Sequence, residues 1–298
     1  MLKVLFTLLL FMSFGYSIEI PGAISEVYKR ASDYDLLLHR IDPPNHSDHD
    51  SKAAIVLFFG GGWRSGNPTH LQPQGEYLAK RGMVVFLADY RVKSRQKTSP
   101  RECAFDGRSA IRYVRKNAKK FNIDPNRIAA GGGSAGGHVA AITGMCEGFD
   151  EPSEDLNISG RSNILVLFNP VYDNSPEGYG YKSVETWFPE ISPMHNITQD
   201  DPSTIVFLGE KDDLIPVKTA KDFQSQQKHL GIYSELHIYE GQPHGFFNIK
   251  KGGVEIFKDT VLKTDAFLVK HGYLQGIPDN GALEAVVTKY NKKKNKKR

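Results

Sequence analysis

The stretch Arg127-Ile128-Ala129-Ala130-Gly131-Gly132-Gly133-Ser134-Ala135-Gly136-Gly137-His138 decides how this chain is read. Arg127 to Gly131 has the apolar character of a short strand, and Ser134 to Met145 is a helical run of small residues. Between them lies a G-x-S-x-G pattern, Gly132-Gly133-Ser134-Ala135-Gly136. A sharp strand-to-helix turn needs residues with little or no side chain, because the serine is held in strained backbone geometry. The turn lifts the hydroxyl above a sheet, and the helix amino terminus behind it favours negative charge. The spacing fits neither G-x-G-x-x-G nor a P-loop, which argues against a phosphate-binding glycine turn. Ser134 is therefore the candidate nucleophile.

Working outward, the same rhythm repeats. Ala53–Phe59, Met83–Ala88, Ile164–Phe168 and Thr204–Leu208 are apolar runs of strand length, and Ser234–Tyr239 is extended. Leu71–Arg81, Ala104–Phe121, Val217–Leu230 and Gly253–His271 have helical spacing; the second places Ala104, Ile111, Val114, Ala118 and Phe121 on one face. Strands that are apolar throughout and alternate with helices indicate a mostly parallel sheet covered on both faces, the α/β class. Residues 18–52 are polar and mixed, and no strand is predicted there. Residues 170–202, rich in Pro, Tyr, Gly and Trp without a clear period, read as an irregular lid-like insertion.

A serine hydroxyl needs a base, and the base needs an orienting carboxylate. In a sheet of this type the partners follow in the order Ser, acid, His, each at the end of a later strand. Asp212 and Asp213 follow Thr204–Leu208, and His244 follows Ser234–Tyr239, at the same end of the sheet as Ser134. His244 is the candidate base; the residues alone leave Asp212 and Asp213 both open as the acid. Gly60-Gly61-Gly62-Trp63 closes the first apolar strand, and consecutive glycines let backbone N–H groups approach a substrate. With the N–H of Ala135, those of this glycine run are the expected oxyanion donors. Trp63, Tyr172 and Trp187, with Tyr179 and Tyr181 nearby, are candidate substrate-binding aromatics. No metal or cofactor is required by this chemistry.

Composition sets the context. The chain has 298 residues, enough for one large domain, expected over 18–280. Its net charge of +4 is local: seven of the last ten residues are Lys or Arg. Without those seven, the basic residues fall from 38 to 31 against 34 acidic ones. A basic tail and not a nucleic-acid-binding face carries the excess, and 281–298 is expected to be disordered and solvated. Residues 1–17, with Lys3 before the apolar run Val4–Phe14 and Gly15 and Ser17 before a cut at Ile18, read as a signal peptide. A secreted or periplasmic protein is therefore expected, with no integral membrane segment. Cys103 starts one predicted helix and Cys146 ends the next, too far apart to bridge, so two free thiols are expected.

The segment Phe59–Phe247 resembles the α/β-hydrolase superfamily, and within it the esterase/lipase branch that includes hormone-sensitive-lipase-like enzymes and bacterial acetyl and carbohydrate esterases. Four motifs carry the likeness: Phe59-Gly60-Gly61-Gly62-Trp63, Gly132-Gly133-Ser134-Ala135-Gly136-Gly137-His138, Gly209 to Pro216, and His244-Gly245-Phe246. The resemblance implies an α/β-hydrolase fold, a Ser134–Asp212–His244 triad, and Gly61, Gly62 and Ala135 as the oxyanion donors. It also selects Asp212 over Asp213, because the acid stands three after the glycine and four before the proline. Phe59 departs from the branch, which usually has His there. The function implied is a secreted serine carboxylic-ester hydrolase acting on short acyl esters. Acetyl or feruloyl groups on carbohydrate are one target, so small-molecule or polysaccharide esters are the expected partners. A prolyl-oligopeptidase-like peptidase shares the catalytic fold but usually carries a large extra domain. A catalytically silent binding protein is the other alternative, and an intact triad argues against it.

Overall fold

Lys52–Phe58 reads KAAIVLF, and every residue after Lys52 is buried, as a strand covered on both faces requires. The computed structural model describes residues 18–31 and 34–295. Residues 1–17, read above as a leader, lie outside the described residues. The elements are β1 (Ile24–Ala31), β2 (Tyr34–Ile41), β3 (Lys52–Phe58), α1 (Gln72–Lys80), β4 (Val84–Ala88), α2 (Lys93–Gln96), α3 (Pro100–Lys116), β5 (Ile123–Gly133), α4 (Ala135–Met145), β6 (Ile164–Phe168), α5 (Phe188–Ile191), β7 (Thr204–Lys211), α6 (Val217–His229), β8 (Ser234–Pro243), α7 (Ile249–Lys270) and α8 (Asn280–Asn295).

Eight strands form one sheet in the order β1-β2-β4-β3-β5-β6-β7-β8. Only the pairings β1–β2 and β2–β4 are antiparallel. Along β3 the side chains alternate between two cores. Ala54, Val56 and Phe58 join the cluster shared with α3, α4 and α6. Ala53, Ile55 and Leu57 join the cluster shared with α1, α7 and α8. This is the mostly parallel α/β sheet expected from the apolar runs, in the α/β-hydrolase arrangement that the resemblance implied. No described helix is long and apolar enough to cross a membrane.

Three expectations are corrected. Residues 18–52 contain β1 and β2, which a search for continuous apolar runs misses. β1 is an edge strand with half its positions exposed, including Ile24 and Val27. The helix expected over Ala104–Phe121 is Pro100–Lys116. Ser99 and Glu102 form a capping box that starts it early. Third, the carboxy-terminal tail is not all irregular. From Asn280 to Asn295 it is α8, whose Leu283, Val286 and Val287 are buried beside Tyr77 and Phe257. Lys289 Nζ and Tyr290 Oη each reach Glu76 at 2.8 Å. The lysines drew attention from a helical apolar stripe at 283, 286, 287 and 290. As expected, Cys103 and Cys146 are free thiols, and both are buried.

Since α8 docks through its apolar stripe, Leu283→Ala is expected to lower the free energy of unfolding by about 2–5 kcal/mol, the usual range for a buried leucine. Urea unfolding of the two proteins checks this; an unchanged midpoint would show that α8 adds nothing to stability.

Candidate active site

β5 runs to Gly133, and α4 begins at Ala135. Ser134 between them has φ 57° and ψ −123°, a strained conformation for a residue with a side chain. Sterics require the glycines around it. A Cβ on Gly132 would lie 2.1 Å from the Gly136 carbonyl oxygen. One on Gly136 would lie 2.2 Å from the carbonyl oxygens of both Phe58 and Phe59. The Ser134 N–H is held by the Phe168 carbonyl at 2.9 Å, which ties the turn to the end of β6.

The expected partners arrive from β7 and β8. Ser134 Oγ lies 2.9 Å from His244 Nε2, and His244 Nδ1 lies 2.8 Å from Asp212 Oδ2. Asp212 Oδ1 also accepts the N–H groups of Leu214 and Ile215, each at 3.0 Å. That second oxygen is thus occupied, and the carboxylate presents the first to the imidazole. Asp213 is exposed, and among the described residues no hydrogen bond joins it to His244. With Asp212 accepting, Nδ1 carries the proton and Nε2 accepts from the Ser134 hydroxyl.

The glycine loop after β3 lies against this turn: a Cβ on Gly60 would lie 3.2 Å from Ser134 Cβ. The N–H of Gly60 is committed to His70 Nδ1 at 2.8 Å. The N–H groups of Gly61 and Gly62 have no hydrogen-bond partner among the described residues. Gly61 and Gly62 have φ of 143° and 61°, and the Gly61 carbonyl accepts from Arg64 and Ser65 in a tight turn. Uncommitted N–H groups on this loop, with Ala135 at the first position of α4, are what an anion developing beside Ser134 requires.

The structure adds Asn169, which sequence reasoning missed. It is fully buried at the end of β6, with φ 34°. Its Oδ1 accepts the Gly245 N–H at 2.9 Å, which turns Nδ2 toward His244 Nε2 at 3.3 Å. A non-glycine residue at positive φ is often functional, but that signal exists only in three dimensions. His138, four residues past Ser134 on α4, has a different role. It is fully buried and joins three segments. Nδ1 accepts the Trp63 indole N–H at 3.2 Å, while Nε2 faces Asn174 Oδ1 and the Ile191 carbonyl, both at 2.9 Å. Two acceptors on Nε2 assign the proton there. Among the described residues, no group of three or more His, Cys, Asp or Glu could hold a metal ion.

Two of the expected substrate-binding aromatics, Trp63 and Tyr172, are turned into the core. Trp63 is buried and spends its indole N–H on His138. Tyr172 is fully buried and stacks on Phe223 with ring centres 4.8 Å apart. Trp187 is half-buried and carries the Arg101 guanidinium 4.1 Å above its ring. The irregular insertion is packed onto the domain. Val171, Tyr172, Val184 and Ile191 are buried in the core, and His138 fastens it to α4.

Burial holds His138 well below the ordinary histidine range, at about 4. The half-buried His70 is also lowered to about 4, by burial first and then by Lys251 and His244. The unfolded chain binds protons at these rings near 6.5, the folded chain only near 4. Between those values the unfolded state holds more protons, so stability falls as pH falls through this window. The slope is at most about 1.4 kcal/mol per pH unit for each ring. Urea unfolding from pH 7 to pH 4.5 is expected to show the decline, with a shallower slope in His138→Gln. Parallel slopes would remove His138 as a cause.

The family model described as BD-FAE matches residues 41–176, and the dienelactone hydrolase family matches residues 171–279. Among solved structures the chain is similar to Thermogutta terrifontis esterase 2 phosphorylated by paraoxon. It is 42% identical over 88% of this chain and 98% of that one, with a TM-score of 0.83. The same esterase has been solved with propionate bound and with butyrate bound. Esterase LipC of Mycobacterium tuberculosis is 29% identical over 240 residues, 69% of this chain and 56% of LipC. An acetylxylan esterase of Xylanibacter ruminicola is 27% identical over 216 residues, 67% of this chain and 42% of that protein. The chain thus spans about half the length of the curated relatives it matches.

Proposed function

The chain belongs to the α/β-hydrolase esterase/lipase family, and on that premise we propose that it is an exported serine carboxylic-ester hydrolase that removes short acyl groups, acetyl among them, from hydroxylated alcohols such as carbohydrate. One observation carries the chemistry: the unbroken relay from Ser134 Oγ through His244 to Asp212, at 2.9 and 2.8 Å. It lies beside a loop with two uncommitted N–H groups.

In the first step Ser134 Oγ attacks the ester carbonyl carbon, and its proton passes to His244 Nε2. Negative charge moves to the carbonyl oxygen, where the N–H groups of Gly61, Gly62 and Ala135 receive it. Asp212 holds the ring and stabilises the imidazolium. Collapse expels the alcohol, which takes the proton from Nε2, and leaves an acyl-Ser134. Water, deprotonated by His244, attacks that ester, and the carboxylic acid leaves as Ser134 regains its proton. Asn169 braces the His244 loop throughout.

Short acyl chains are favoured because the insertion supplies no long apolar helix; α5 is only four residues. The propionate- and butyrate-bound forms of the Thermogutta esterase support this. Likeness to an acetylxylan esterase supports an acetylated carbohydrate. Export is supported by the pattern of residues 1–17 alone.

With p-nitrophenyl acetate, Ser134→Ala is expected to abolish turnover. Asp212→Asn should lower kcat by about 10⁴, the loss expected when the imidazole tautomer is wrong. Asp213→Asn should keep the wild-type rate. Turnover that survives Ser134→Ala would reject the mechanism, and equal losses at 212 and 213 would reject the choice of acid.

A second expectation concerns the glycine loop. Gly62→Ala puts a Cβ at φ 61°, 3.0 Å from Tyr179 Oη. Displacing one oxyanion donor costs about 2.7–4 kcal/mol, a kcat loss of about 10²–10³. Steady-state kinetics showing a raised KM with normal kcat would place Gly62 outside the oxyanion site.

A further inference from the structure

Of the five aromatics in the insertion, two are accounted for by their own packing: Tyr172 is core and Trp187 carries Arg101 over its ring. Tyr181 packs edge-on against Phe188. Tyr179 differs. Its hydroxyl lies 3.0 Å from the position a Cβ on Gly62 would take, so it sits directly over the oxyanion loop. Asn174 Nδ2 holds the Tyr179 carbonyl at 3.0 Å, and Asn174 is itself bonded to His138. The Tyr179 ring packs on Trp63 with centres 5.6 Å apart. Next to it Gly180, at φ 82°, lies so close to Trp63 that a Cβ would come within 2.6 Å of the indole. The ring is thus fixed from both sides, to the oxyanion loop and to the nucleophile helix. Yet its hydroxyl has no hydrogen-bond partner among the described residues, and the residue is only half-buried. A phenol held this firmly beside the oxyanion loop, with one donor and an acceptor unfilled, is available to a bound molecule.

We propose that Tyr179 is a specificity-determining residue whose hydroxyl hydrogen-bonds a hydroxyl group adjacent to the ester in the substrate. This rests on the esterase reading above and refines it: the preferred alcohol carries a free oxygen beside the esterified one, as vicinal diols do. A purely aliphatic alcohol leaves the phenol unpaired and forfeits the bond.

The test pairs two esters of the same acid and similar size, 2-hydroxyethyl butyrate and n-propyl butyrate. Wild type is expected to favour the hydroxylated ester in kcat/KM. Tyr179→Phe keeps the ring on Trp63 and should reduce that preference by about 2- to 12-fold, the span carried by one net hydrogen bond. Matching melting temperatures show that the variant folds. An unchanged preference in Tyr179→Phe overturns the proposal. So does a wild type without preference, which needs no variant at all. If wild type also fails on p-nitrophenyl acetate, the esterase reading itself falls, a result separable from loss of preference alone.

Discussion

The site depends on one close approach. Where β5 turns into α4, the backbone of Gly136 lies against the end of β3, with no room for a Cβ between it and the Phe58 and Phe59 carbonyls. That contact brings Ser134 to the glycine loop, because the same strand end continues into Gly60-Gly61-Gly62. Parallel pairing of β3 with β5, Phe58 opposite Gly132, sets the height at which the two loops meet. The strain at Ser134 is maintained by this packing and by the Phe168 carbonyl that holds its N–H.

Around that contact lies a set of buried polar bonds with little charge in it. His138 stays neutral because it is buried, and neutrality lets it accept from Trp63 and donate toward Asn174 and Ile191 at once. A charged ring would lose the acceptor on Nδ1 and break the bond to the oxyanion loop. Tyr90 adds another anchor, donating its hydroxyl to the Phe59 carbonyl at 2.5 Å. The glycine loop therefore keeps its conformational freedom in sequence and loses it in the fold. Its N–H groups at 61 and 62 are left uncommitted by elimination.

What could be read in advance follows a physical pattern. The central strands were legible because burial on both faces leaves an unbroken apolar run. β1 and β2 were not, since an edge hairpin mixes exposed and buried positions. α8 was hidden by its lysines, although Leu283, Val286 and Val287 carried the helical period. His244 and Ser134 were legible because each follows a strand and the parallel order puts both at one end of the sheet. The direction of Trp63 and Tyr172 was not legible for the opposite reason: a Tyr or Trp in an irregular segment has no period to reveal where it points. Tyr172 turned inward onto Phe223, and Trp63 turned onto His138.

The sequence by itself determined the sheet class, the elbow, and the order in which the serine, acid and histidine come together, because these depend on local turns and on apolar periodicity. Tertiary structure decided the rest. Whether an aspartate at 212 or 213 faces His244 depends on which side of a turn is buried. Which glycine N–H groups are free depends on His70, ten residues away in the chain. That Asn169 braces the histidine depends on β6 ending beside β7 and on the loop after β8 returning over it. Contacts of that kind are made between segments far apart in sequence, and only the packing of the sheet brings them within hydrogen-bond reach.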